Sequence, residues 1–310
     1  MVDNSTIKLS SAVKRLLVCL VISLLLCPST YGQTKRALLI GISDYSTYSK
    51  TTSGKWSNIH GANDVELISK TLKKQDFKII TITNKNATAR RIRKELKSLS
   101  NSCRKGDVVY IHFSCHGQPF EDLDGDEEDG WDESLVPYDA RKVFSAGKYE
   151  GVNHIKDDEL HTYIQKIRNA VGSKGFVCVI IDACHAGGSS RGDEGDDEDD
   201  DDPIIRGTKD GFSPHGESFR PRIDTKSNFK IASSAGLSDV VIVEACRSYQ
   251  SNCEIKQNGK YYGPLSYYLN KTLQSYSVSA NLNWVNEVKS QMDRDRRLTK
   301  QNLVYETSLK

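Results

Sequence analysis

The chain has no apolar run long enough to cross a membrane, no marked excess of charge, and too few cysteines for a disulfide-held scaffold. Its most apolar stretch, residues 16–26, has eleven residues, a rise of about 16 Å as a helix against a hydrocarbon core of about 30 Å. Lys8, Lys14 and Arg15 precede it, and Pro28, Ser29, Thr30 and Gly32 follow. A basic start, a short apolar middle and a small-residue end read as a secretory signal peptide over 1–32, cut after Gly32. Residues 33–310 are therefore expected to be secreted or periplasmic, with no membrane attachment once the leader is gone. An uncleaved anchor is the alternative. A lipid anchor at Cys27 fits less well, because Leu24, Leu25 and Leu26 stand where small residues are wanted.

The 43 basic and 41 acidic side chains leave a net charge of +2. The leader holds Lys8, Lys14, Arg15 and Asp3, so beyond it the two signs balance. A neutral total argues against a nucleic-acid partner, which needs a clustered excess of Lys and Arg. The cysteines beyond the leader are Cys103, Cys115, Cys178, Cys184, Cys246 and Cys253. They are too sparse for a disulfide framework, although Cys246 and Cys253 are near enough in sequence to pair. No internal repeat is evident.

What is present is alternation. Short apolar runs at 37–42, 77–83, 107–113, 175–181, and more raggedly at 229–233 with 240–244, read as buried strands. Helical periodicity lies between and after them. Residues 63–74 carry Val65, Ile68 and Leu72 on one face, residues 88–99 carry Ile92, Leu96 and Leu99, and residues 157–171 carry Leu160, Ile164 and Ile167. Further helices are predicted at 262–274 and 284–292, and Thr88 and Asp157 are suitable N-caps. Strand–helix alternation implies an α/β fold, a mostly parallel sheet with helices on both faces. Ligands in such folds bind beyond the carboxyl ends of strands. Two acidic runs interrupt the pattern, nine carboxylates within 121–133 and nine within 193–202. The second is expected to be a solvated loop, and 189–227 a long exposed linker.

At the strand ends stand Ser114–Cys115–His116–Gly117 and Asp182–Ala183–Cys184–His185–Ala186–Gly187. Cysteine catalysis needs a thiolate, which a neighbouring imidazole supplies by taking the proton. Two adjacent strand ends would hold Cys184 and His116 across a substrate carbonyl. Gly117 would leave its N–H open, so that it and the N–H of Cys184 face a developing oxyanion. Cys115 and His185 are the rival members of each pair, but neighbours on an extended strand point to opposite faces. A zinc site built from all four would need adjacent ligands to turn to one metal, against the usual spacing.

These residues resemble the metacaspases and orthocaspases, caspase-like cysteine peptidases. The likeness runs over most of 35–310. It rests on K-R-A-L-L-I-G-I-S-D-Y at 35–45, G-A-N-D-V at 61–65, F-S-C-H-G-Q at 113–118, the acidic D-G-D-E-E-D-G-W-D-E-S-L-V-P-Y-D at 124–139, D-D-E-L at 157–160, V-I-I-D-A-C-H-A-G at 179–187, and the stretch ending G-P-L-S-Y-Y-L at 269. The family's usual S-G-H-G is S-C-H-G here. The resemblance implies a three-layer α/β/α caspase-like fold, Cys184 as nucleophile and His116 as catalytic histidine. It also implies an S1 pocket of Asp64, Ser114 and Asp182 for Arg or Lys at P1, where carboxylates favour a cationic side chain. Asp64 could equally cap the helix that follows it, and Asp182 the end of its strand. The expected partners are protein or peptide substrates with a basic P1 residue.

No cofactor is needed for this chemistry. The family's frequent activation by calcium implies a site of hard oxygen ligands, with Asp139, Asp157 and Asp158 as candidates and the 121–133 loop as a second source. Caspase-like precursors are commonly cut in the linker after the nucleophile, and here Arg206 and Lys209 are the expected self-cleavage points. The rival readings are an inactive caspase-like binding domain, a metal-binding or redox protein using the Cys–His pairs, and an Arg peptidase of the clostripain or gingipain type.

Overall fold

The computed structural model describes residues 32–45, 54–185, 203–221, 223 and 228–309. Residues 1–31 of the expected leader and the acidic run 193–202 lie outside the described residues. Three strands, β1 (Lys35–Gly41), β3 (Val108–Ser114) and β7 (Phe176–Asp182), form the centre of the main sheet. Every residue of β3 and β7 is buried. That explains their near-continuous apolar sequence, since a parallel strand covered on both faces has no solvent side to mark with polar residues. Outside them stand β2 (Phe77–Thr83), β9 (Asp239–Glu244), β12 (Val304–Thr307) and β8 (Asn228–Lys230), in the order β2-β1-β3-β7-β9-β12-β8. Pairing is parallel from β2 to β9, and β12 joins antiparallel.

Among the described residues five α-helices complete the layers: α1 (Gly61–Lys74), α2 (Ala89–Ser102), α3 (Asp157–Val171), α4 (Pro264–Thr272) and α5 (Asn283–Arg294). The strands supply the two faces alternately. Leu38, Ile40, Val109, Ile111, Val177 and Val179 pack with Ile92, Leu96, Ile164 and Ile167 of α2 and α3. Leu39, Tyr110, Cys178 and Ile180 pack with Val65, Ile68, Leu72, Leu269 and Trp284 of α1, α4 and α5. Each fully buried Leu or Ile contributes about 1.5–3 kcal/mol relative to exposure, so the α/β/α sandwich follows directly from this period-two division.

Several details differ from expectation. The run at 229–233 yields only the three-residue edge strand β8. A second, three-stranded sheet of β4 (His116–Glu121), β5 (Trp131–Val136) and β6 (Ile155–Lys156) was not legible, because charges break up its apolar pattern. Thr88 caps α2 as expected, its hydroxyl accepting from the Arg91 N–H at 3.3 Å. Asp157 is instead the first residue of α3, with Lys156 at the cap. The helix expected from 262 begins at Pro264, after a hairpin of β10 (Ile255–Gln257) and β11 (Lys260–Tyr262). The expected exposed linker is the main correction. Within its described part, Arg206, Thr208 and Phe212 are buried, because each finds a partner in or beside the groove at the sheet's end.

Candidate active site

Parallel register brings the two motifs together. Ser114 of β3 pairs with Asp182 of β7, so His116 and Cys184 each stand two residues beyond paired strand ends. The approach is close: a Cβ on Gly117 would fall 2.5 Å from the Cys184 carbonyl oxygen, so only glycine fits. The N–H groups of Gly117 and Cys184 converge on one acceptor, the carbonyl oxygen of Arg206, at 3.1 and 3.0 Å.

His116 is held on several sides. Its Nε2 lies 2.9 Å from the Ser57 carbonyl, which can only accept, so the proton sits on Nε2. Nδ1 then carries the free lone pair; it is buried and has no hydrogen-bond partner. The ring stacks on Trp56 at 4.8 Å and packs against Tyr45 at 4.9 Å. The Tyr45 hydroxyl also accepts from the His116 backbone N–H at 2.8 Å. Burial drives the imidazole pKa down to about 4, opposed by the bond to Ser57. The ring is therefore neutral near pH 7, with Nδ1 unprotonated.

Cys184 is fully buried, and its thiol donates to the Gln250 carbonyl at 2.8 Å. The Cys246 thiol reaches the same carbonyl at 3.5 Å. The pairing left open between Cys246 and Cys253 is not formed; none of the six described cysteines is in a disulfide. Cys246 follows β9 and so lies beside the Ala183–Cys184 end of β7, while Cys253 is bridged to Ile205. The rival residues fall elsewhere. Cys115 packs into the core under α2 and α3, where burial pushes its thiol up to about 12. His185 is buried, its pKa lowered to about 4 by desolvation. Among the described residues no Cys–His group converges as a metal site.

Beside the convergent N–H groups is a pocket of carboxylates, and the Arg206 side chain fills it. Nη2 lies 2.7 Å from Asp64 Oδ2 and 2.8 Å from Glu254 Oε1. Nε donates to the same Glu254 oxygen at 3.0 Å, and Nη1 donates to the Ser114 hydroxyl at 2.6 Å. Asp182 Oδ1 is 3.7 Å from Nη1. These ion-paired side chains are fully buried. The acids are themselves positioned by fixed donors. Asp64 accepts from the Gly263 N–H at 3.1 Å. Asp182 accepts from the Ser266 N–H at 2.7 Å and hydroxyl at 2.6 Å, and from Asn252 at 2.7 Å. Asp64 lies inside the first turn of α1, whose cap is His60, so it does not cap that helix. Burial raises the Asp64 carboxyl to about 7, against the pull of Arg206. For Arg206 burial works downward, but Asp64, Glu254 and Asp182 prevail and hold the guanidinium above its ordinary value. Three acids thus surround one cation.

Glu254 was missed from the sequence. It belongs to no motif, and it reaches the pocket only because residues 252–254 run antiparallel to the chain at 204–206. The Arg206 N–H donates to Asn252 O at 3.0 Å and the Glu254 N–H to Ile204 O at 2.8 Å. Its other oxygen meets His60 Nδ1 at 2.5 Å. Lys209, the other expected cleavage point, is exposed and outside the pocket.

The calcium candidates divide. Asp157 and Asp158 group with Asp132, their ligand oxygens within 4.8 Å of one another. Asp139 does not join them: its carboxylate accepts from the Ala89 N–H at 2.8 Å, at the start of α2. Asp132 replaces it because β5 pairs with β6, which leads straight into α3. Asp132 is buried, with Oδ2 held by Lys156 at 2.6 Å, while its Oδ1 and that of Asp157 are buried without partners. A second group joins Asp122, Asp124, Asp126 and Asp132.

Sheet order, paired Cys and His at adjacent strand ends and an acidic pocket beside them are the marks of a caspase-like peptidase domain. A caspase-domain family model matches residues 34–310, and the chain belongs to that family. It is similar to metacaspase-1B of Aspergillus fumigatus, 26% identical over 292 residues, covering 84% of this chain and 66% of the relative. Metacaspase-1B of Neurospora crassa is 34% identical over 163 residues, covering 49% of this chain and 34% of the relative. The chain thus spans just under two thirds of the length of the first of these. Among solved structures, protein GSU0716 of Geobacter sulfurreducens superposes with a TM-score of 0.59 at 17% identity, covering 89% of this chain and 93% of that one, a likeness of fold.

Proposed function

We propose that this chain is a cysteine endopeptidase that cleaves after arginine, and that its first substrate is its own Arg206–Gly207 bond. One observation carries the reading: the Arg206 carbonyl accepts from the N–H groups of Gly117 and Cys184 while its guanidinium sits among Asp64, Asp182 and Glu254. That is the posture of a P1 residue with its acyl oxygen in an oxyanion hole.

The chemistry follows from the groups present. His116 takes the thiol proton at Nδ1, and the Cys184 sulfur leaves the Gln250 carbonyl to attack the Arg206 carbonyl carbon. Negative charge gathers on the oxygen held by Gly117 and Cys184. His116 returns the proton to the Gly207 nitrogen, the C–N bond breaks, and a thioester remains. Water, deprotonated by His116, then releases the carboxylate and the thiol. Ser57 acts as a positioning group, since its carbonyl keeps the His116 proton on Nε2.

Arginine is preferred to lysine because Glu254 accepts from both Nε and Nη2, a fork that a single ammonium does not match. Glycine is preferred at P1′, because a Cβ on Gly207 would stand 2.0 Å from the Cys184 carbonyl oxygen. Calcium is the proposed activator, held by Asp132, Asp157 and Asp158. Their unpartnered buried oxygens suit a hard cation, and β5 carries Asp132 on the strand that pairs with His116 of β4. Secretion behind the 1–32 leader is part of the same proposal.

Cys184→Ala tests the central claim. The wild-type chain, incubated with Ca²⁺, should yield a fragment beginning at Gly207 by mass spectrometry. The variant should yield none and lose at least about 10³-fold in hydrolysis of peptidyl-Arg amides. A Gly207 fragment from the variant would end this reading.

A further inference from the structure

The segment after Arg206 does not leave the groove. It runs parallel to β4, with Gly207 bridged to Gly117 and Phe212 bridged to Phe120. Two more residues lie between those points on the segment than on β4. A turn in which the Asp210 N–H donates to the Thr208 hydroxyl at 3.1 Å takes up the extra length. Gln118 of β4, itself fully buried, donates to the Asp210 carbonyl at 2.9 Å. The Phe212 N–H donates to the Pro119 carbonyl at 2.8 Å, and its carbonyl accepts from the Glu121 N–H at 3.0 Å.

The Phe212 side chain is 0% exposed. It stacks on Phe120 at 4.9 Å, lies 4.8 Å from His154, and meets Tyr149 and Phe144 edge-on at 5.7 and 5.9 Å. The cage walls are fixed: His154 Nδ1 is 3.1 Å from the Tyr149 hydroxyl and His154 Nε2 is 2.9 Å from Gln118 Oε1. Gly151, at φ 88°, lets the backbone pass where a Cβ would strike the Phe120 and Phe212 rings. This cluster is separate from both cores of the main sheet. Phe212 is therefore a plug in a pit on the β4–β5–β6 sheet, not a member of the central core.

We infer that the cage of Phe120, Phe144, Tyr149 and His154 is a primed-side exosite that takes an aromatic side chain six residues beyond the scissile arginine. The inference rests on Arg206–Gly207 being the bond presented for cleavage. In the chain itself the exosite anchors the leaving side of the cut, and after cleavage it retains the new N-terminus at Gly207. For substrates in trans it selects peptides with arginine, then glycine, then an aromatic residue at the sixth primed position.

The test uses the full chain carrying Phe212→Ala, which empties the cage, and two peptides. One has the sequence Ile-Ile-Arg-Gly-Thr-Lys-Asp-Gly-Phe-Ser; the other has Ala in place of Phe. The Phe peptide should be cleaved with about tenfold higher kcat/KM, the gain appearing in KM, as the burial of one aromatic ring predicts. Adding Phe144→Ala should erase the difference. If Phe212→Ala does not fold, the same pair is run on the Phe212→Leu chain, whose smaller side chain fills the cage less well than a ring, and the same order is expected. Equal kcat/KM for the two peptides on folded, active enzyme overturns the exosite. Ile-Ile-Arg-aminocoumarin, which has no primed residues, separates the two readings: if it and both peptides go uncut, the peptidase assignment itself has failed.

Discussion

Two acidic clusters in this molecule have similar composition and opposite status. The side chains of Asp64, Asp182 and Glu254 are wholly buried, yet they accept from backbone N–H groups, side-chain donors and one guanidinium. Asp132, Asp157 and Asp158 converge as closely, but two of their buried oxygens have no partner. A count of carboxylates does not separate the two. The supply of fixed donors does: the first cluster closes around the Arg206 guanidinium, whereas the second has only Lys156 on one oxygen of Asp132 and leaves two buried oxygens for a cation from solution.

The sharpest way to break that comparison is to remove a charge from the first cluster. Asp64→Asn leaves a buried guanidinium short of an acid, a loss of about 3–5 kcal/mol, so kcat/KM for Arg peptides should fall by about 10²–10⁴-fold. The same residue should shape the pH profile. Burial raises the Asp64 pKa to about 7, with Arg206 opposing, so acidification through that range protonates it and weakens arginine binding. The kcat/KM profile should rise towards neutral pH and flatten above it. That acid limb should be absent in Asp64→Asn; an identical limb in both proteins would rule Asp64 out as its source.

A smaller effect is expected from Glu254→Gln. The fork of donors loses its charged acceptor, so Arg peptides should lose about tenfold while Lys peptides lose less. The measurement is the ratio of the two kcat/KM values, and an unchanged ratio would remove Glu254 as the selector. Smallest is the response of the second cluster. Saturating Ca²⁺ should raise the melting temperature by about 4–8 °C over EDTA, and Asp132→Asn should abolish the shift. Equal melting curves with and without Ca²⁺ would make this cluster merely solvated acid.

Cys184 and His116 were legible because each follows a strand announced by its own apolar run, and β3 and β7 are neighbours whose register aligns their ends. Asp64 and Asp182 were legible through motifs next to those strands. Glu254 was not, since it stands 190 positions from Asp64 in a polar stretch with no periodicity. Asp132 was covered only as part of the 121–133 loop, and Asp139 was named instead, because nothing local reveals that β5 pairs with β6. The burial of Arg206 and Phe212 was hidden for a related reason: a polar, glycine-containing stretch looks solvated until its few anchoring side chains are seen to have sites.

Hydrophobic period and strand-end chemistry are local properties, so the parallel sheet and its Cys–His rim could be read from residue order alone. Which distant acid completes the pocket, which residue of the chain occupies it, and where the segment beyond it is pinned depend on contacts between parts remote in sequence. Those emerge only when the folded chain encloses a cation and a ring in surroundings that no short stretch encodes.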